Sequence, residues 1–155
     1  CGLRTNLGFM KAGDTGPAGN DATNGNANVK SQTSTISAWT WDGRAYILYS
    51  NVSVSSLTSD IANTGAVMVY LQTTSGEWAP LARTFAITST TSQNQRYVYS
   101  TGNVKIILQN SDLTQPSSSA VVFKIVCIAS SARTANPNVN YADYNEVKNT
   151  FNLPD

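Results

Sequence analysis

Histidine is absent from this chain of 155 residues. With it go the commonest general base, the commonest metal ligand and the usual switch near neutral pH. Ser-His-Asp and Cys-His catalysis and imidazole zinc sites are therefore excluded. Charge is scarce as well: charged residues make up 12% of the chain and the net charge is +1, against a charged share of about 25% in ordinary domains. Scattered Lys and Arg give no electrostatic footprint for nucleic acid, so no such partner is expected. No apolar run approaches the roughly 20 residues needed to cross a bilayer, and no basic amphipathic helix is present to lie on one. Membrane attachment would have to come through covalent lipid.

Cysteine is limited to Cys1 and Cys127. Cys127 lies in the run Val121-Val122-Phe123-Lys124-Ile125-Val126-Cys127-Ile128, where a small buried hydrophobe fits. The even count leaves a Cys1–Cys127 disulfide open, although a chain terminus is a poor partner for a strand interior. The nine acids are Asp14, Asp21, Asp42, Asp60, Glu77, Asp112, Asp143, Glu146 and Asp155. Glycoside hydrolysis needs two carboxylates across a cleft, and nothing in the sequence brings Glu77 and Asp112 out of their turns to meet. The glycine-rich stretch 16–25 lacks the lysine of a phosphate loop. The oxygen donors of 20–28 lack the terminal Glu of a calcium loop. No catalytic residue, metal or cofactor is expected, apart from acyl chains on Cys1.

Ser, Thr and Asn supply about a third of the residues, a composition that leans toward an extracellular β-protein. Short apolar runs bounded by these residues predict strands at 29–36, 45–54, 67–71, 78–81, 96–99, 104–109 and 121–129. Asp42-Gly43, Thr64-Gly65, Ser75-Gly76 and Gly102-Asn103 mark turns between them. Alternation places Val67, Val69 and Leu71 on an inner face, with Met68 and Tyr70 outside or covering an edge. Val104, Ile106 and Leu108 share a face in the same way. The run from Val121 reads as a central strand whose Lys124 points outward. A single helical turn is expected near Asp60, with Ser59 as its cap. Near the C-terminus Tyr144, Val147 and Phe151 form a helical stripe that should pack against the body, with Asn140 and Asp143 resembling a capping box. The fold class is all-β: an antiparallel β-sandwich or jelly roll with an extended Gly-rich N-terminal leader and a short C-terminal helix. It divides into a tether (1–28), a sandwich (29–133) and a tail (134–155).

Aromatic residues are the remaining candidates for function. Trp39 and Trp41 share one strand face, as do Tyr97 and Tyr99. With Trp78 they could stack on sugar rings, anchor a protein interface, or fill the core and cover sheet edges.

In the leader, Gly13, Gly16 and Gly19 follow at spacing three and Gly25 returns to that register, broken at Ala22. Only glycine fits the axis of a triple helix, but so few cannot hold one alone; an extended tether is the simpler reading. Cys1 at the first position is expected to carry acyl chains after lipoprotein processing. Taken in order, Cys1, Gly16-Pro17-Ala18-Gly19-Asn20-Asp21, Asn24-Gly25-Asn26-Ala27-Asn28-Val29 and Tyr141-Ala142-Asp143-Tyr144-Asn145-Glu146-Val147-Lys148 resemble small collagen-like outer-membrane lipoproteins of Bacteroidota. The likeness covers both ends and, in the middle, only the pattern. It implies a lipid-anchored β-sandwich of the outer membrane with no assigned catalytic residue. Gly2-Leu3-Arg4-Thr5 departs from the acidic residues that favour surface export in that group.

The expected function is that of a non-catalytic accessory or structural subunit of an outer-membrane or cell-surface assembly. Its partners would be other envelope proteins, an outer-membrane β-barrel, or copies of itself. A carbohydrate-binding module using the tryptophans and a self-assembling coat or filament subunit are the alternatives.

Overall fold

A computed structural model describes residues 28–154. Cys1, the glycine register and the Asn-rich stretch to residue 27 lie outside the described residues. The elements are β1 (Val29–Ile36), β2 (Thr40–Asp42), β3 (Ile47–Ser53), α1 (Ser59–Thr64), β4 (Ala66–Thr74), β5 (Glu77–Pro80), β6 (Arg83–Ala86), β7 (Ser92–Ser100), β8 (Asn103–Asn110), β9 (Val121–Ile128), α2 (Ser130–Ala135) and α3 (Tyr144–Phe151).

Two antiparallel sheets form, in the orders β1-β9-β4-β5 and β2-β3-β8-β7-β6. The chain crosses between them after β1, β3, β5 and β8, so each sheet is assembled from strands far apart in sequence. In the four-stranded sheet, β9 pairs with β1 from Val121↔Ile36 to Ile128↔Val29 and with β4 from Phe123↔Leu71 to Ile128↔Ala66. In the five-stranded sheet, β8 is central, between β3 and β7. Gly102, at φ 78, turns β7 into β8, a left-handed conformation that glycine adopts at little cost.

The strand alternation explains the core. Val67, Val69 and Leu71 of β4, Phe123, Ile125 and Cys127 of β9, and Val104 and Ile106 of β8 meet between the sheets with Ile36, Val54 and Leu57. A second buried layer lies on the other face of the four-stranded sheet, where Tyr70, Val126 and Ile128 pack with Tyr141, Tyr144, Val147, Phe151 and Leu153 of the tail. β9 is therefore buried on both faces, the environment that a near-continuous apolar run suits.

This second layer changes the reading of the outward positions. Tyr70 has no exposed surface, and Lys124 is 4% exposed. The tail, and not solvent, is what these side chains face.

Four other elements differ from the expectation. β2 and β6 lack apolar alternation and went unanticipated; they are short edge strands, where polar and charged residues are tolerated. β7 begins at Ser92 and not at Arg96; its inward positions there are the amides Gln93 and Gln95, which carry no apolar signal. α1 is capped by Thr58, whose Oγ1 accepts from the Ile61 N–H at 3.3 Å, one residue before Ser59.

At α3 the cap is Asp143, not Asn140. Its carboxylate accepts from the N–H groups of Asn145 and Glu146, while Glu146 reaches back to the Asn140 N–H at 2.8 Å. The helix is thus capped one turn later than expected, and the Glu146 bond reaches past the cap residue to Asn140.

Candidate functional site

The titratable side chains come first, since chemistry would need them. All six described carboxylates accept hydrogen bonds within their own turn or helix end. Asp42 takes the N–H groups of Arg44 and Ala45 at 2.9 and 3.2 Å. Asp112 takes the N–H of Thr114 at 3.2 Å, its hydroxyl at 2.7 Å, and the Thr91 hydroxyl at 3.3 Å. Asp60 accepts from Thr64 and Glu77 from Thr73, and Asp143 and Glu146 serve α3. Backbone N–H groups hold Asp42, and chiefly the Thr114 hydroxyl holds Asp112, below the usual carboxylate range. Such acids stabilise turns, and nothing poises them to carry protons.

Cys127 is a free, fully buried thiol. Burial pushes its pKa up, against a weak opposing contact from Ser56, which leaves little of the nucleophilic thiolate. Lys124 lies with its ammonium 5.2 Å from the Trp78 ring centre and 5.3 Å from that of Tyr144. Desolvation, then Lys148, lowers its pKa.

The five aromatic candidates do not converge. Trp39 packs edge-on against Phe123 between the sheets, centroids 6.3 Å apart, and its Nε1 donates to the Ser119 carbonyl at 3.2 Å. Trp41 is half-buried on edge strand β2, paired with Leu48. Trp78 is half-buried beneath α3, 5.4 Å from the Tyr144 ring. Tyr97 faces the interior and ties the sheets together, its hydroxyl donating to the Val67 carbonyl at 2.6 Å. Tyr99 stacks on Tyr97 at 6.4 Å and reaches solvent. Only that last pair is contiguous. In the tail, Tyr144, Val147 and Phe151 are all buried against the sheet.

Two other surfaces were not picked out from the sequence. The first is the outer face of the five-stranded sheet. Strand parity puts Tyr49 and Asn51 of β3, Lys105, Ile107 and Gln109 of β8, and Asn94, Arg96 and Val98 of β7 there. Neither hydrophobic cluster extends to it. Val98 is 51% exposed, and the Lys105 ammonium sits 4.4 Å from the Tyr49 ring centre. Arg96 bonds Asn94 and Gln109 at 2.8 and 3.2 Å. The result is a mildly cationic face of amides, one aromatic ring, a buried isoleucine (Ile107) and an exposed valine.

The second is a cleft of about 430 Å³ at one mouth of the sandwich. Gln72, Thr74, Ser75 and Ser119 contribute to its rim, and Arg83 and Gln95 also line it. The sequence carried a signal for it: the Tyr97–Tyr99 alternation continues back to Gln95 and Gln93, two amides on an inward face.

No family model matches the chain, and no curated protein and no solved structure matches it.

Proposed function

We propose that this chain is a non-catalytic binding module, a lipid-anchored accessory or structural subunit of an outer-membrane or cell-surface protein assembly. It holds its partner through the outer face of the five-stranded sheet. The observation that carries this reading is the contrast between the two sheets. The four-stranded sheet has its outer face buried under the protein's own tail, whereas the five-stranded sheet keeps Val98, Tyr49, Arg96 and Lys105 on a face outside both hydrophobic clusters. Apolar and aromatic groups framed by cations and amides suit a protein interface. The local engagement of all six described carboxylates supports holding over turnover. Envelope placement and acylation of Cys1 rest on the resemblance of leader and tail, and the partners in view are other envelope proteins, an outer-membrane β-barrel among them.

The test is site-specific photo-crosslinking in cells of the native source, with the probe at Val98 and, as a control, at Asn149 on the exposed side of α3. Adducts from position 98 alone, lost on R96E/K105E substitution with unchanged circular dichroism, are expected. Adducts from 149 alone would overturn the assignment of the face. Intact mass of the N-terminal peptide tests anchoring separately: several acyl chains are expected, and an unmodified Cys1 thiol refutes it.

One observation favours a second reading. β1 pairs only with β9, so its other edge, eight residues long, is unpaired among the described strands. Strand addition between copies would use that edge, and regular polymers in negative-stain microscopy would support it. Glycan binding by Trp39, Trp41 and Trp78 has less support, because the three are set apart, one between the sheets and one under the tail.

A further inference from the structure

We propose that the cleft between the sheets is a binding site for a sugar acid, with Arg83 as the group that grips its carboxylate. This goes beyond the docking reading above, and the two surfaces lie on opposite faces of the five-stranded sheet, so either can fail alone.

The starting point is an oddity of the sandwich interior. Gln93, Gln95 and Asn110 are 8%, 7% and 5% exposed, on inward positions where hydrophobic side chains are the rule. Buried amides are destabilising unless bonded, and here they form one directed chain. Arg83 Nε donates to Gln95 Oε1 at 2.7 Å, Gln95 Nε2 to Gln93 Oε1 at 3.1 Å, and Gln93 Nε2 to Asn110 Oδ1 at 3.0 Å. Asn110 Nδ2 then donates to the Thr114 hydroxyl at 3.3 Å, which donates to Asp112 at 2.7 Å. A cation stands at one end and a carboxylate at the other, so every link is polarised in the same sense.

The effect on Arg83 is to hold its guanidinium from behind. Gln95 occupies Nε, and the plane rests over Phe85 with Cζ 4.6 Å from the ring centre. The Nη groups have no partner among the described residues. Of the residues lining the cleft, Arg83 alone is charged, and no carboxylate is present to neutralise it. A planar fork fixed in place, with its outer edge unused, matches a carboxylate in bidentate geometry. Gln72, Thr74, Ser75 and Ser119 around it are uncharged donors and acceptors, suited to ring hydroxyls. The volume falls in the range of small-ligand sites. A carboxylate flanked by hydroxyls is the chemistry of a uronic acid residue.

The experiment is titration of the isotope-labelled protein with glucuronate, glucose, acetate and inorganic phosphate, followed by nuclear magnetic resonance of the Arg83 Nε–H and Gln95 side-chain amide. Saturable shifts with glucuronate, none with glucose, and acetate or phosphate weaker by at least about tenfold are expected. Arg83→Gln should weaken glucuronate on the order of tenfold to a hundredfold. Thr74→Val, which leaves the guanidinium in place, should weaken glucuronate while leaving acetate unchanged. No shift of either resonance at millimolar glucuronate, equal binding of glucose, or equal binding of acetate or phosphate would each overturn the proposal. Because the wild-type titration decides this alone, a failure of Arg83→Gln to fold would not protect it.

Discussion

Two tyrosines in contact where the tail meets the sheet should respond in opposite ways to the same deletion. The rings of Tyr70 and Tyr144 lie 5.1 Å apart, and both residues are buried, at 0% and 4% exposure. The Tyr70 hydroxyl donates to the Tyr141 carbonyl at 2.6 Å. Tyr70→Phe removes that bond and leaves a buried carbonyl without it, a loss of about 1–3 kcal/mol. The Tyr144 hydroxyl is buried with no hydrogen-bond partner among the described residues. Removing it ends a desolvation penalty of about 1–3 kcal/mol, partly offset by the small void left by one oxygen. Tyr144→Phe should therefore be neutral or stabilising by about 1 kcal/mol. For a chain of this size 1 kcal/mol moves Tm by roughly 3–5 °C, so the two variants should separate clearly. Urea denaturation read by tryptophan fluorescence gives the free energies, with m unchanged as the check on a two-state comparison. Equal destabilisation by both variants would refute the reasoning, since it would mean the Tyr144 hydroxyl is bonded after all.

Three further outcomes follow from the same packing. A Cβ on Gly65 would lie 2.3 Å from the Ile128 carbonyl oxygen, so Gly65→Ala should destabilise by about 1–3 kcal/mol or more, read as a drop in the urea midpoint. Lys124 has a lowered folded pKa, chiefly from desolvation, so between that value and its ordinary 10.5 the unfolded chain binds more protons and Lys124 adds stability as pH rises. Relative to Lys124→Met, the wild type should thus gain stability as pH rises through the folded value toward 10.5; a parallel pair of pH profiles would refute this. Asp143→Ala should remove the α3 cap at a cost of about 1 kcal/mol and raise amide exchange at Asn145 and Glu146, whereas unchanged exchange would show the cap to be idle.

What the residues disclosed in advance was set by periodicity. β4, β8 and β9 carry apolar side chains at fixed parity, so their presence and inner faces were legible, although β4 runs on to Thr74, three residues past the expected end. β2 and β6 are three and four residues long and polar, so no window of alternation existed to find. Parity says which residues share a face and not what lies over it. For that reason Tyr70 and Lys124 were assigned outward correctly, while their cover, contributed by a segment some 70 residues later in one case, was invisible. Arg83 and Gln95 escaped notice for a related reason. An arginine in a turn-rich stretch looks like any surface charge until cross-strand pairing sets it opposite an inward-facing glutamine.

The placement of β9 also decides when this protein can become itself. As the chain is made from its N-terminus, β1 emerges early and must wait for residues 121–128 to supply its one neighbour among the described strands. The aromatic cover for the same sheet arrives later still, in the closing residues of the tail. Long-range pairing of this kind is slow to form, and the waiting strands are open to the wrong company. A chain cut before Tyr141 would therefore leave the outer side of the four-stranded sheet bare.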